Sequence, residues 1–100
     1  MIFTARRLSA AQAHELGVVD EVVTAGSARE RALDLAATIA SHSPVGLRNA
    51  KRAMRLGFDT DLASALDIED ECWAATAFSG DRAEGVAAFA EKRRTVWPGR

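Results

Sequence analysis

The chain has 100 residues, 48% of them hydrophobic and 27% charged, with a formal net charge of −1 and one cysteine. That balance excludes a disordered chain, and the lone Cys72 excludes an internal disulfide and suits a reducing compartment. A near-neutral charge gives no global attraction to nucleic acid or acidic membranes, so any anion site has to be local.

No apolar run approaches the roughly 18 residues that a membrane span needs. The opening Met1-Ile2-Phe3-Thr4-Ala5-Arg6-Arg7 places its arginines after the apolar residues, the reverse of a secretory signal, so the expected location is cytoplasmic. This opening also carries no start signal and reads as an element cut into partway. Frequent alanine, no tyrosine and only two prolines favour a mostly helical chain.

In chain order, Ser9-Ala10-Ala11-Gln12 is a capping box, and the short helix it starts stops at Gly17. Val18 to Val23 is β-branched and short, which predicts an extended segment with at most one strand. After the turn at Thr24-Ala25-Gly26, Ser27 and Glu30 form a second capping box for a helix to about Ala40. Ala32, Leu33, Ala36, Ile39 and Ala40 mark its buried face. Ser43 as N-cap and Pro44 at the first helical position start a third helix, which Gly57 ends. Leu47, Ala50 and Met54 lie on one side of it; Arg48, Lys51, Arg52 and Arg55 lie largely on the other. A fourth helix runs from Thr60-Asp61 to about Ala77, with Leu62, Leu66, Glu69 and Trp73 at helical steps. A fifth follows Ser79-Gly80-Asp81, and Trp97 to Arg100 is tail. These alanine-rich stripes make a thin core, so the chain is expected to pack on something else.

Few residues offer chemistry. Glu69 and Glu71 are two apart on a helix and point to different sides. Asp81 and Glu84 share a face, but at a helix start their expected work is capping and dipole stabilisation. His14 and His42 lack partners at metal-ligand spacing, and no glycine-rich phosphate loop or nucleophile motif occurs. Catalytic and metal-binding residues are therefore expected to be absent. The last helix offers Phe89 and Lys92, three apart, with Arg93 and Arg94 beside them. Two readings stand: an aromatic and a cation on one face for a phosphate-bearing adenine, or a core ring beside solvated cations.

The closing run Ser79-Gly80-Asp81-Arg82-Ala83-Glu84-Gly85 with Ala88-Phe89-Ala90-Glu91-Lys92-Arg93 resembles the last helix of the enoyl-CoA hydratase/isomerase (crotonase) superfamily. Residues 4–23, the Ser43-Pro44 restart with Lys51, and Ala65-Leu66 with Glu69 resemble the segments that precede it, in the same order. Ala5 stands where the family pattern more often has glycine, Val18 where leucine is usual, and Ala90 where a larger apolar residue is common.

The resemblance implies a mainly α chain, the C-terminal helical region of a crotonase-like α/β fold. Residues 1–26 would be a truncated helix-strand linker from the core, and residues 27–100 the oligomerisation and CoA-lid region. It implies enoyl-CoA hydratase chemistry on acyl-CoA thioesters, a lyase or isomerase reaction of fatty acid metabolism. The family's oxyanion N–H groups and catalytic glutamates belong to the preceding portion, so this chain is expected to be inactive alone. It implies coenzyme A contacts at Phe89 and Lys92, a CoA thioester as substrate rather than any covalently bound cofactor, and a trimer or dimer of trimers. No nucleic-acid or membrane partner is expected. The alternative is a non-catalytic helical assembly module packing on a crotonase-type partner.

Overall fold

In the computed structural model, which describes residues 3–100, the chain folds into five helices. They are α1 (Ala10–Glu15), α2 (Ala28–Ala40), α3 (Pro44–Gly57), α4 (Leu62–Ala77) and α5 (Gly80–Ala90). No strand occurs among the described residues, and Val18 to Val23 is irregular. Met1 and Ile2, the start of the element expected to be cut into, lie outside them. No helix of the described residues is long and apolar enough to cross a membrane. The chain divides into two compact units, Met1–Ala36 and Ala37–Arg100, with α2 running through the division.

The first unit is held by neighbours in sequence. Ser9 accepts from the Gln12 N–H while the Gln12 side chain accepts from the Ser9 N–H, and Gly17 takes a left-handed φ of 67°. Ala5 is also left-handed, at φ 49°. That explains why glycine is commoner there: a Cβ in this conformation costs about 1 kcal/mol. The Ser27 hydroxyl donates to the Thr24 carbonyl at 2.8 Å, and Arg31 Nε donates to both Glu21 carboxylate oxygens, at 2.8 and 3.0 Å.

In the second unit α3 and α4 form the main packed pair, and α5 touches both. Ser43 caps α3 by accepting from Gly46 N–H, Asp61 caps α4 through Ser64, and Ser79 caps α5 through Arg82. Gly57 is the last residue of α3 but is not left-handed; it packs beside α4, where a Cβ would lie 3.4 Å from that of Ala65. Asn49 of α3 donates to the Thr76 hydroxyl of α4 at 3.0 Å, and that hydroxyl donates to the Cys72 carbonyl.

The buried set is small: Val45, Cys72, Ala88 and Asp81 among the described residues. The face of α2 expected to be buried is exposed along its whole length, Leu33 at 53%. Leu62, Leu66 and Trp73 of α4 are likewise exposed, Trp73 at 68%. The periodicity identified these helices correctly, but nothing described lies over those stripes.

Candidate functional site

The site is built around α5. Its second residue, Asp81, is only 1% exposed. One oxygen accepts from the Ser43 hydroxyl at 2.6 Å and the Val45 N–H at 3.1 Å; the other accepts from the Gly99 N–H at 2.6 Å. Arg48 completes the knot by donating to the Gly99 carbonyl at 2.9 Å. Burial works against the charge on Asp81. The hydrogen bonds from Ser43, Val45 and Gly99, with Arg48 nearby, outweigh it and hold the carboxyl below its usual range.

Glu84 does the corresponding work one turn later. Its carboxylate accepts both terminal nitrogens of Arg93, at 2.6 and 2.9 Å, and the Val96 N–H at 2.7 Å. The Arg93 fork and then the Val96 N–H lower the carboxyl to about 2. Arg93 also donates through Nε to Glu91 at 2.5 Å. Neither carboxylate caps its own helix, which is the task of Ser79. Their partners come from far along the chain, and spacing within one helix carries no signal of them.

The tail from Thr95 to Arg100 lacks regular structure but is firmly seated. Trp97 donates to the Ser41 carbonyl at 2.8 Å and lays its ring against Gly85, where a Cβ would sit 3.4 Å away. The Arg100 carbonyl accepts from the Gly80 N–H at 2.7 Å.

At its other end α5 closes in a Schellman turn: Arg93 N–H donates to the Ala88 carbonyl at 3.0 Å, and Lys92 N–H to that of Phe89 at 3.3 Å. Lys92 holds the left-handed position at φ 54°, a place that favours glycine and costs any other residue about 1 kcal/mol. The helix thus stops at Ala90, and the cations follow it instead of filling its last turn. Phe89 is 88% exposed and Lys92 is exposed as well. Helical spacing does not relate the two, because the chain has left the helix before Lys92. What links them is the backbone of the turn, where the Lys92 N–H donates to the Phe89 carbonyl. Among the described residues Arg93 is committed to Glu84 and Glu91, whereas no ion pair engages Lys92.

A second feature is an apolar groove of about 750 Å³ between α3 and α4, lined by residues that include Ala50, Met54, Phe58, Glu69, Cys72 and Trp73. Glu69 is its one carboxylate; Asp70 and Glu71 face solvent.

Among the described residues the chain is mainly α: five helices and no strand, the last helix capped by Ser79 and followed by the seated tail. Comparison with known proteins identifies it. The sequence profile of the enoyl-CoA hydratase/isomerase family matches residues 1–100. Among curated relatives, a probable mitochondrial enoyl-CoA hydratase 2 of Arabidopsis thaliana is 40% identical over 99% of this chain and 33% of its own length. A putative enoyl-CoA hydratase/isomerase of Bacillus subtilis is 42% identical over 98% of this chain and 38% of its own. The crystal structure of an enoyl-CoA hydratase from Bacillus anthracis superposes with a TM-score of 0.93 at 38% identity, covering 99% of this chain and 38% of that one. The chain belongs to the enoyl-CoA hydratase/isomerase family, and it spans between a third and two fifths of the length of these relatives.

Proposed function

We propose that this chain is the C-terminal portion of an enoyl-CoA hydratase/isomerase-family protein that acts on acyl-CoA thioesters, by hydrating a 2-enoyl-CoA or by a related proton shift. The observation that carries this reading is the family match over all 100 residues against relatives about three times as long. Within it, the chain's own contribution is binding and not bond-making. Phe89 offers an exposed ring for the adenine, and Lys92 an unengaged ammonium for a phosphate of coenzyme A. Asp81 and Glu84, the two carboxylates that share a face of α5, each already accept three donors and so are occupied by the fold and not poised to activate water. The oxyanion donors and catalytic glutamates are assigned to the portion these residues do not cover. A cytoplasmic location is part of the same reading, supported by the single buried thiol; the Arabidopsis relative is described as mitochondrial.

The test is an assay of the purified chain with crotonyl-CoA, in which no saturable hydration is expected; turnover with a definite KM overturns the assignment. Coenzyme A binding by calorimetry tests the other half. Lys92→Ala should weaken coenzyme A more than 3′-dephospho-CoA, and equal losses for both ligands remove the phosphate role.

A specific observation favours a second reading, a non-catalytic assembly module. Apolar side chains on α2, α4 and α5 stand in solvent, Phe89 and Leu62 most of all. They suit burial against a crotonase-type partner or further copies of the chain, in the trimer or dimer of trimers expected from the family. Light scattering that shows a stable monomer at high concentration counts against it.

A further inference from the structure

We propose that Glu84 is the positioning residue for Lys92, fixing where the ammonium is presented and so setting the preference for a 3′-phosphorylated over a dephosphorylated nucleotide. This rests on the reading of Lys92 as a coenzyme A contact and adds to it a residue that touches no ligand. Lys92 occupies a left-handed position that an L-residue rarely adopts unless its surroundings enforce it. What enforces it lies on both sides of the turn. Glu84, on α5, grips Arg93 immediately after Lys92 with both carboxylate oxygens, and takes the Val96 N–H three residues further on. Glu91, immediately before Lys92, takes the remaining face of the same guanidinium. Arg93 N–H is in turn pinned to the Ala88 carbonyl. Lys92 is the one side chain in this run of four, Glu91 to Arg94, that combines a left-handed backbone with a cation engaged in no ion pair. Release of Glu84 frees Val96 and removes the two-pronged grip on Arg93, leaving Arg93 its bonds to Ala88 and Glu91, and the backbone at Lys92 can then relax to an ordinary φ. The ammonium keeps its charge but loses its fixed direction.

The experiment uses the 100-residue chain and two probes, coenzyme A and 3′-dephospho-CoA, with calorimetric affinities for the parent, Glu84→Gln, Lys92→Ala and the double variant. The ratio of the two affinities is the readout, because a merely structural loss lowers both together. Glu84→Gln is expected to cut the ratio roughly threefold to fivefold, as Lys92→Ala does, and the double variant to cut it no further. The Lys92 Hα and 13Cα chemical shifts should move out of the left-handed range in Glu84→Gln. A ratio unchanged in Glu84→Gln but reduced in Lys92→Ala overturns the positioning role and leaves the Lys92 contact standing. A ratio unchanged in Lys92→Ala, or no coenzyme A binding by the parent, removes the contact itself and this inference with it. Should Glu84→Gln fail to fold, Arg93→Lys is read in the same way, since it keeps the charge and loses the two-pronged grip.

Discussion

The two compact units are stabilised in different ways. In Met1–Ala36 the side-chain bonds run mainly between residues three apart, as in the Ser9–Gln12 box and the Ser27–Thr24 turn, and no described residue is buried. In Ala37–Arg100 the decisive bonds cross 36 to 38 residues from Asp81 to Val45 and Ser43, and 56 from Trp97 to Ser41. A helix secured by local caps forms or frays by itself. A set secured by long-range bonds to one buried carboxylate should be lost together.

The largest break in that contrast is Asp81→Ala. It strands the Val45 and Gly99 N–H groups and the Ser43 hydroxyl, so the thermal midpoint of the second unit should fall by about 10 °C or more. Circular dichroism melts check this, and a midpoint within about 2 °C of the parent means the knot around Asp81 holds little.

Acid comes next. The folded carboxyl of Glu84 lies at about 2 against an ordinary 4.5, and that of Asp81 is also lowered. A depressed folded value gives stability that is present above the unfolded value and lost as pH falls through the folded one. Stability of the second unit should therefore decline from about pH 4.5 down to about pH 2. Glu84→Gln should flatten part of that decline, and an identical acid profile in this variant rules out its contribution.

Gly80→Ala gives a test of sign. In a free helix alanine is better than glycine by about 1 kcal/mol. Here the new Cβ would sit 2.9 Å from the Arg100 carbonyl oxygen, so the variant should be destabilised and its tail released to proteolysis. A more stable protein would show that the tail is not seated on α5.

The smallest effects belong to the first unit. Ser9→Ala should cost about 1 kcal/mol, felt as faster amide exchange in α1 while the α3 and α4 amides are unchanged. Ala5→Gly should relieve the left-handed strain and gain less than about 1 kcal/mol, part of the relief being offset by glycine's greater chain entropy. Exchange in α3 that tracks Ser9→Ala removes the contrast between the units.

Much of the local structure was legible. The N-caps at Ser9 and Ser43 stand where short-range chemistry placed them, because a cap needs only a side chain and an amide three residues away, whereas at Ser27, where a second capping box was expected, the hydroxyl donates to the Thr24 carbonyl instead. Burial was not legible. The apolar stripe of α2 announced a covered face, and periodicity reports what a helix can bury, never what lies against it. The site was half legible. Phe89 and Lys92 stood out by type and family pattern, but their shared helical face did not exist once the turn at Lys92 ended the helix.

By itself the sequence determined the number, order and starts of the helices and the family of the chain, since these follow from contacts within a turn or from ordered motifs. Tertiary structure alone decided what Asp81, Glu84 and the tail do. Two carboxylates three residues apart look like first-turn acids until the chain returns to them from Ser43, Arg93, Val96 and Gly99. Their partners depend on where distant segments meet in space, which no local pattern encodes.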